Sequence, residues 1–373
     1  MKIENWYNNN FEAELTGRYI TLEMILPILD RYKNKIEITF PGISENGKII
    51  PLIKIGTGKK VILAWSQMHG NESTTTKAIF DLLKFLTHKK FFKAEVEKFL
   101  SNNSLYIFPI LNPDGAKLYT RENFNGVDLN RDAQNLSQSE SRCLRQIFDR
   151  LKPQLCLNMH DQRSIFGLEN GNPATVSFLS PAADPDRSIT KARKTAMEHI
   201  VRMERYLQNF IPAQVGRFDD NFNMDCVGDT FQMLEVPTIL FEAGHYKDDY
   251  KREKTREFIF YALFALLGFN RETESLDFED YFQIPENQNN YRDIILTNVK
   301  VSQKLELNDV SIQYAERLED EKIVFDPIVD LVGNLKNYYG HVKIDKKGSK
   351  IKRAIDKYLN PGDKIENIDD YLI

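Results

Sequence analysis

The sequence predicts an α/β fold in which helices cover both faces of a sheet, followed by a smaller, mainly β segment. Three observations lead to this prediction. Four apolar runs have the length and the β-branched or aromatic content of strands buried on both faces. Helical patterns lie between these runs, and strands that alternate with helices indicate an α/β sheet. The composition then becomes polar and acidic near residue 270. The four runs are VILAWS (61–66), LYIFPIL (105–111), LCLNM (155–159) and TILFEA (238–243).

The helical patterns follow the runs in chain order. Four apolar residues with i, i+3, i+4, i+7 spacing follow the first run, and four more precede the third. Ser137 and Glu140 predict a capping box at the start of the second helix. Longer helical patterns cover roughly 186–207 and 254–267. The apolar positions of the first two helices are Ile79, Leu82, Leu83 and Leu86, then Leu144, Ile147, Phe148 and Leu151.

The change of composition divides the chain into residues 1–272, a linker at 273–284 and a small β-rich domain at 285–373. Three segments of the last domain are strand-like and partly alternating. This domain contains no obvious chemical motif, and carbohydrate binding and simple packing stay open as its role. The three segments are VKVSQKLEL (299–307), DVSIQYAERL (309–318) and GHVKIDKK (340–347).

The composition of the 373-residue chain excludes several classes of partner. The formal net charge of −4 lacks the basic excess of a nucleic-acid-binding protein. The longest apolar stretch, FIFYALFALL, is too short to span a bilayer, so no membrane partner is expected. Three scattered cysteines argue against a disulfide framework, and no signal peptide is visible. We therefore expect a cytoplasmic protein; a mature secreted form and the oligomeric state stay open.

Polar residues that could bind a metal or take part in catalysis lie at the ends of all four apolar runs. His69 and Glu72 follow the first, Asn112-Pro113-Asp114-Gly115 the second, His160 closes the third and Glu242 lies in the fourth. In open α/β sheets, ligands bind outside the carboxyl ends of the strands, where the loops converge. The placement therefore predicts a single site at this edge of the sheet.

Two histidines and a carboxylate are the protein ligands of a catalytic zinc ion, which keeps an open position for water. His69, Glu72 and His160 supply such a set, although a lone histidine near a strand end is more often a hydrogen-bonded structural residue. A bound histidine usually needs its second ring nitrogen held by a carboxylate or carbonyl, and Asp128 is a candidate for that partner.

The stretch NGVDLNRDAQ (125–134) adds a second kind of chemistry. Asn130 and Arg131 place an amide beside a guanidinium, which can hold a carboxylate with two hydrogen bonds. An Asx turn with a surface arginine is the simpler interpretation of the same residues.

Together, these segments resemble the zinc metallocarboxypeptidase family over roughly residues 15–268. The combination of motifs, in the family's order, is far more specific than any one of them. The matching segments are HGNE (69–72), NPDG (112–115), TREN (120–123), GVDLNRD (126–132), NMHD (158–161) and ILFEAG (239–244).

The resemblance implies a mixed central sheet with one zinc ion at its C-terminal edge. It implies that His69, Glu72 and His160 are the zinc ligands and that Asp128 supports the first histidine. Glu242 corresponds to the catalytic base, and Arg121 to the arginine that polarises the scissile carbonyl. Asn130 and Arg131 correspond to the residues that hold the substrate's terminal carboxylate. The implied activity is removal of the C-terminal residue of a peptide.

The sequence also departs from the family pattern. Asn71 stands where the digestive members have an arginine, and HGNE also resembles related deacylases that act on N-acyl amino acids. A zinc-dependent deacylase of N-acyl amino acids or a related small amide is therefore the alternative, as is a binding module without catalysis. In each enzymatic case the partner is a peptide or small amide with a free carboxylate. Arg163 and Arg217 are candidates for a pocket that accepts acidic groups, or are solvated surface residues.

Overall fold

The computed structural model describes residues 3–88, 90–270, 275–300, 307–349 and 360–365. Within these ranges the helices are α1 (Ile3–Asn10), α2 (Leu22–Tyr32), α3 (Thr74–Leu86), α4 (Lys93–Asn102), α5 (Pro113–Leu118), α6 (Ser139–Leu151), α7 (Lys191–Leu207), α8 (Val227–Met233) and α9 (Glu253–Leu266). Short 3₁₀ helices cover Leu129–Arg131 and Phe278–Gln283. The strands are β1 (Glu37–Ile43), β2 (Ile49–Ile55), β3 (Lys60–Ser66), β4 (Asn103–Phe108), β5 (Leu155–Asp161), β6 (Val176–Leu179), β7 (Val215–Arg217), β8 (Thr238–Ala243), β9 (Tyr291–Val299), β10 (Asn308–Glu319), β11 (Lys322–Gly333) and β12 (Tyr339–Asp345).

The larger sheet is mixed, in the order β1-β2-β4-β3-β5-β8-β6-β7 among the described residues. The four strands predicted from the apolar runs are adjacent at the centre of this sheet, in the order β4, β3, β5 and β8. They run parallel to one another. β2 and β6 flank this centre as antiparallel partners of β4 and β8, and the sheet ends with β1, antiparallel to β2, and β7, parallel to β6. The predicted α/β class with a mixed sheet is confirmed. Because the central strands are parallel, their carboxyl ends lie at one edge, which is where the polar residues of the site were expected.

Helices cover both faces of this sheet. A large apolar cluster on one face includes residues of α1, α2, α3, α7 and α9. A smaller cluster on the other face joins α6 and α8 to the strands, and Phe148 stacks on Phe231 with ring centroids 3.8 Å apart. Every residue of β5 is buried, as expected for a strand covered on both faces.

A buried ion pair joins α3 to α9. The Arg256 guanidinium donates to both carboxylate oxygens of Asp81, at 2.7 and 2.6 Å. It also donates to the main-chain oxygens of Leu15 and Glu12, at 2.6 and 2.7 Å. Neither charged side chain of the pair is exposed. The pair therefore fastens the N-terminal segment to the helices behind the sheet.

Two compact units make up the chain. The first comprises Met1–Gln162 and Thr175–Glu286, and the second comprises Arg163–Ala174 and Asn287–Ile373. The second contains a four-stranded sheet in the order β11-β10-β9-β12. Its core is formed by apolar residues of β9, β10 and β11, with Ile365. A second, smaller β sheet at the C-terminal end is thus confirmed, whereas the exact limits 1–272, 273–284 and 285–373 stay a prediction.

Some local predictions differ from the structure. The capping box is wrong: α6 begins after Gln138, Glu140 accepts from the Glu45 amide, and the Ser137 hydroxyl donates to Asp132. Most of the predicted strand at 299–307 lies outside the described residues. Over the described ranges, no helix has the length and apolar character needed to cross a membrane.

Candidate metal centre

The loop after β3 carries two of the predicted ligands and has an unusual backbone. Gln67 has a positive φ of 44°, a conformation that costs energy for a residue with a side chain. Its buried amide donates to the main-chain oxygens of Gly70 (2.8 Å) and Ile20 (3.0 Å) and accepts from the Thr76 hydroxyl (2.8 Å). These contacts hold the sharp turn that brings His69 to the sheet edge.

The NPDG segment packs against this loop. The Asn112 side chain caps α5 by accepting from the Gly115 amide at 2.8 Å, and its amide group donates to the Met68 main-chain oxygen at 3.1 Å. A Cβ atom on Gly70 would lie 1.9 Å from the main-chain carbon of Gly115, so only glycine fits at this contact. NPDG therefore shapes the His69 loop rather than supplying a ligand.

His69, Glu72 and His160 meet at the carboxyl ends of β3 and β5. Glu72 Oε1 lies 2.8 Å from His69 Nδ1, and Glu72 Oε2 lies 2.8 Å from His160 Nδ1. The two Nδ1 atoms are 3.1 Å apart. Both histidines are almost fully buried, at 2% exposure. Potential metal-ligand atoms of three residues, from two separate segments of the chain, thus face one another.

This donor set fits a zinc ion. Zinc bonds of about 2.0–2.1 Å in a tetrahedron set neighbouring donor atoms about 3.3 Å apart. Possible ligand atoms of the three residues lie within 4.8 Å of one another. Two imidazoles and one carboxylate are the ligand types of catalytic zinc sites and leave a fourth position open.

Asp128 and Arg121 surround His69. The Asp128 carboxylate contacts His69 Nε2 at 2.9 Å, which leaves Nδ1 facing Glu72 and His160. Arg121 pairs with the other Asp128 oxygen through Nε (3.1 Å) and Nη2 (2.9 Å), and its Nη1 lies 3.4 Å from Glu72 Oε1. The structure therefore places both predicted residues beside His69 at the candidate metal centre, and their roles stay a prediction.

The charges of this centre shift the pKa values of its members. Burial opposes ionisation of Glu72, but the neighbouring His69 and His160 outweigh it and hold the Glu72 pKa well below its usual value. Burial lowers the pKa of His160. For His69, burial favours the neutral form, yet the charge of Glu72 and the hydrogen bond to Asp128 raise its pKa. The centre thus holds an ionised carboxylate between two imidazoles.

Glu242 lies beside His160 on the neighbouring strand. The two residues are direct partners in the parallel register of β5 and β8, so their side chains project from the same face. Burial, followed by the charges of Glu72 and Asp161, raises the Glu242 pKa well above its usual value. Among the described residues, its buried Oε2 has no hydrogen-bond partner. Glu242 is therefore placed next to the metal centre with one oxygen available for a proton.

Asn130 and Arg131 occupy the short 3₁₀ helix that follows Asp128. The Asn130 side-chain oxygen accepts from the Val227 amide at 3.1 Å, which ties this helix to the start of α8. Arg131 is exposed, and within the described part of the chain its guanidinium donates one hydrogen bond, from Nη1 to the adjacent Asn130 main-chain oxygen at 2.8 Å. Its guanidinium keeps most of its donors for solvent or a ligand.

The structure also describes the two arginines that were candidates for a pocket accepting acidic groups. Arg217 pairs with Glu286 at 2.8 Å and lies over the Tyr281 ring, so its charge is already matched. Arg163 is exposed and belongs to the second compact unit. Sequence reasoning missed Gln67, whose role depends on a backbone turn that leaves no local motif. The sequence analysis noted NPDG at the end of an apolar run but assigned it no role. Asn before Pro is nevertheless a recognisable helix N-cap signal.

The fold and the site together describe an α/β protein with a candidate metal centre of two histidines and one carboxylate. Residues 23–165 match the model of the zinc carboxypeptidase family. This segment contains all three candidate ligands, and the predicted resemblance to that family is confirmed. Zinc, which the family's description names, is also the metal that the ligand types of this candidate site suit.

A comparison with curated proteins finds similarity to carboxypeptidases. A 128-residue match to carboxypeptidase 2 of Trichophyton tonsurans is 27% identical and covers 32% of this chain. It covers 23% of that protein, so the chain spans about a quarter of the length of the curated relatives it matches.

The structural neighbours include a metallo-carboxypeptidase from Burkholderia cenocepacia, with a TM-score of 0.55 and 16% identity over 68% of this chain and 69% of that one. Carboxypeptidase A from Helicoverpa armigera has a TM-score of 0.51 and 17% identity, over 68% of this chain and 75% of that chain. At these identities the likeness establishes the fold.

Proposed function

We propose that this protein is a zinc-dependent carboxypeptidase that hydrolyses the C-terminal amide bond of a peptide. The observation that carries the proposal is the convergence of His69, Glu72 and His160 with Glu242 on the adjacent strand. His69 Nδ1, His160 Nδ1 and the Glu72 carboxylate would hold the metal. Bound zinc supplies a Lewis acid that polarises a carbonyl and lowers the pKa of a coordinated water.

Glu242 acts as the general base in this proposal. Its side chain projects beside His160, and its buried Oε2 lacks a partner among the described residues. A raised pKa brings a carboxylate closer to the operating pH, which suits a group that takes a proton and later returns it. Glu242 would accept a proton from the attacking water and deliver it to the departing amine.

Arg121 would stabilise negative charge that develops on the scissile carbonyl oxygen. Its contacts with Asp128 orient the guanidinium, and its side chain is 41% exposed, so a substrate can reach it. A hydrogen-bond donor of this kind contributes about 3–4 kcal/mol to transition-state stabilisation. Asn130 and Arg131 would hold the terminal carboxylate, because an exposed guanidinium beside an amide offers several donors to one anion. A carboxylate held there restricts cleavage to the last peptide bond.

The test uses one peptide with a free C-terminus and the same peptide with an amidated C-terminus. The zinc-loaded protein should release the last residue of the free peptide only. Chelation should abolish release, and added zinc should restore it. Turnover that survives chelation would exclude the zinc-dependent scheme, and equal cleavage of both peptides would exclude a carboxylate requirement.

The second candidate is a zinc-dependent deacylase of N-acyl amino acids or a related small amide. Asn71, in the HGNE segment, favours it, since its buried side-chain oxygen has no partner among the described residues and is available to a ligand. The same metal centre and the same base would serve that reaction. Comparing hydrolysis of a peptide with that of an N-acyl amino acid separates the two candidates. We further propose a cytoplasmic location, which three free thiols support.

A further inference from the structure

The candidate zinc ligands belong to two segments that are distant in sequence. His160 lies at the end of β5, whereas His69 and Glu72 lie in the loop between β3 and α3. A tetrahedral site requires metal-ligand atoms at defined separations. Contacts between the two segments are therefore needed to hold the ligand side chains at those separations before the metal binds. The contacts of Asp161 identify what does so.

Asp161 bonds to the Glu72 segment through both its main chain and its side chain. Its amide donates to Glu72 Oε2 at 3.2 Å. Its carboxylate Oδ2 accepts from the amide and the hydroxyl of Thr74, at 3.0 and 2.5 Å. Thr74 is the first residue of α3, two positions after Glu72. Asp161 therefore joins the end of β5 directly to the residues that carry the Glu72 carboxylate.

The position of Asp161 on β5 suits this task. Successive residues of a strand point to opposite faces, so His160 faces the metal centre while Asp161 faces α3. Asp161 is 8% exposed, and the positive charges of Arg18 and Arg252 lie near it. Arg252 also donates to the main-chain oxygens of Gln162 (2.9 Å) and Ala243 (2.7 Å), the residues that follow Asp161 and Glu242. The surroundings thus fix the carboxylate and its strand.

We propose that Asp161 is a positioning residue that sets the zinc affinity of this protein by holding the Glu72 segment against His160. The proposal rests on the proposed zinc site. Residues that orient metal ligands change metal affinity about 10- to 100-fold when they are removed. A carboxylate that merely caps a helix would instead change stability and leave zinc affinity unaltered.

Asp249 provides a matched control for that distinction. It is also 8% exposed and also accepts from main-chain amides at a helix start, those of Glu253, Lys254 and Thr255 at 2.8, 2.8 and 3.0 Å. Among the described residues, its carboxylate forms no hydrogen bond or ion pair with the candidate zinc ligands. Asp161→Ala and Asp249→Ala therefore remove comparable helix caps, but only the first acts on the metal centre.

The experiment measures zinc affinity of the full chain by competition with a chromophoric chelator. Asp161→Ala should weaken zinc binding about 10- to 100-fold, and Asp249→Ala less than about threefold. Asp161→Asn keeps an oxygen acceptor for the Thr74 amide and should retain most of the affinity. If Asp161→Ala does not fold, Thr74→Val removes only the hydroxyl contact and should weaken zinc binding by an intermediate factor. Equal zinc affinities for the Asp161 and Asp249 variants would overturn the proposal.

A second measurement does not require zinc. Hydrogen exchange of the metal-free protein should show faster exchange of amides in residues 70–76 for Asp161→Ala than for wild type, with no such change for Asp249→Ala. Unchanged exchange there would also overturn the proposal. If wild type binds no zinc, the proposed function fails, while this comparison still decides whether Asp161 holds the segment.

Discussion

Removing the carboxylate of Asp128 should weaken zinc binding without unfolding the protein. In the structure this carboxylate fixes His69 through Nε2 at 2.9 Å, orients Arg121 through two nitrogens and accepts from the Asn130 amide at 2.9 Å. Its pKa is held well below the usual value because these hydrogen bonds and the charges of His69 and Arg121 outweigh the effect of burial. Asp128→Ala therefore frees a ligand ring and the neighbouring guanidinium together.

The size of the effect follows from these contacts. Loss of a partner that orients a metal-bound histidine costs about 10- to 100-fold in metal affinity, which is about 1.4–2.7 kcal/mol. Chelator competition at pH 7 measures it. Asp132→Ala is the control, because it removes a buried carboxylate that bonds to Ser137 and Gln138 rather than to the metal centre. Equal zinc affinity for the Asp128 variant and wild type would show that Asp128 does not orient a zinc ligand.

Three further outcomes are expected. Asp81→Ala strips Arg256 of its buried partner and should lower the free energy of unfolding by about 3–5 kcal/mol in urea titrations; a loss below about 1 kcal/mol would contradict the structure. Burial, with the charge of Arg202, lowers the His199 pKa to about 4 from 6.5. Between about pH 4 and about pH 6.5 the unfolded chain then binds more protons than the folded protein, so the free energy of unfolding falls as pH falls from about 6.5 to about 4, by at most about 3 kcal/mol. His199→Gln should flatten this pH dependence in thermal melts recorded across that pH range. Arg131→Ala should raise KM for a free C-terminus about 10-fold or more with little change in kcat, since it removes a charge-assisted hydrogen bond; an unchanged KM in steady-state assays would show that another residue holds the carboxylate.

The centre of the sheet was predictable because its strands are buried on both faces and appear as continuous apolar runs. The edge strands were not predicted, for identifiable reasons. β1 contains the Pro-Gly pair of EITFPGI and a register shift, and β7 has only three residues. A short or interrupted strand gives no periodic pattern, and its pairing is decided by its neighbours.

The convergence of His69, Glu72, His160 and Glu242 was predictable from their places at strand ends. The residues that hold the loops were not. Gln67 bonds to the main-chain oxygen of Ile20 and Asp161 to the main-chain amide of Thr74, and such contacts between distant segments depend on the folded geometry rather than on residue spacing. The sequence predicted the chemistry of the centre, and the structure supplied the contacts that position it.

The proposed activity requires a zinc ion at His69, Glu72 and His160 and Glu242 as a separate base. Glu242→Gln tests it most directly, because glutamine has nearly the same shape but cannot accept the proton. Zinc content and peptide turnover are measured on the same purified samples of this variant and wild type. Both proteins should contain one zinc per chain, and peptide turnover by the variant should be about 100-fold or more below that of wild type. Turnover near the wild-type level with zinc retained would contradict this requirement.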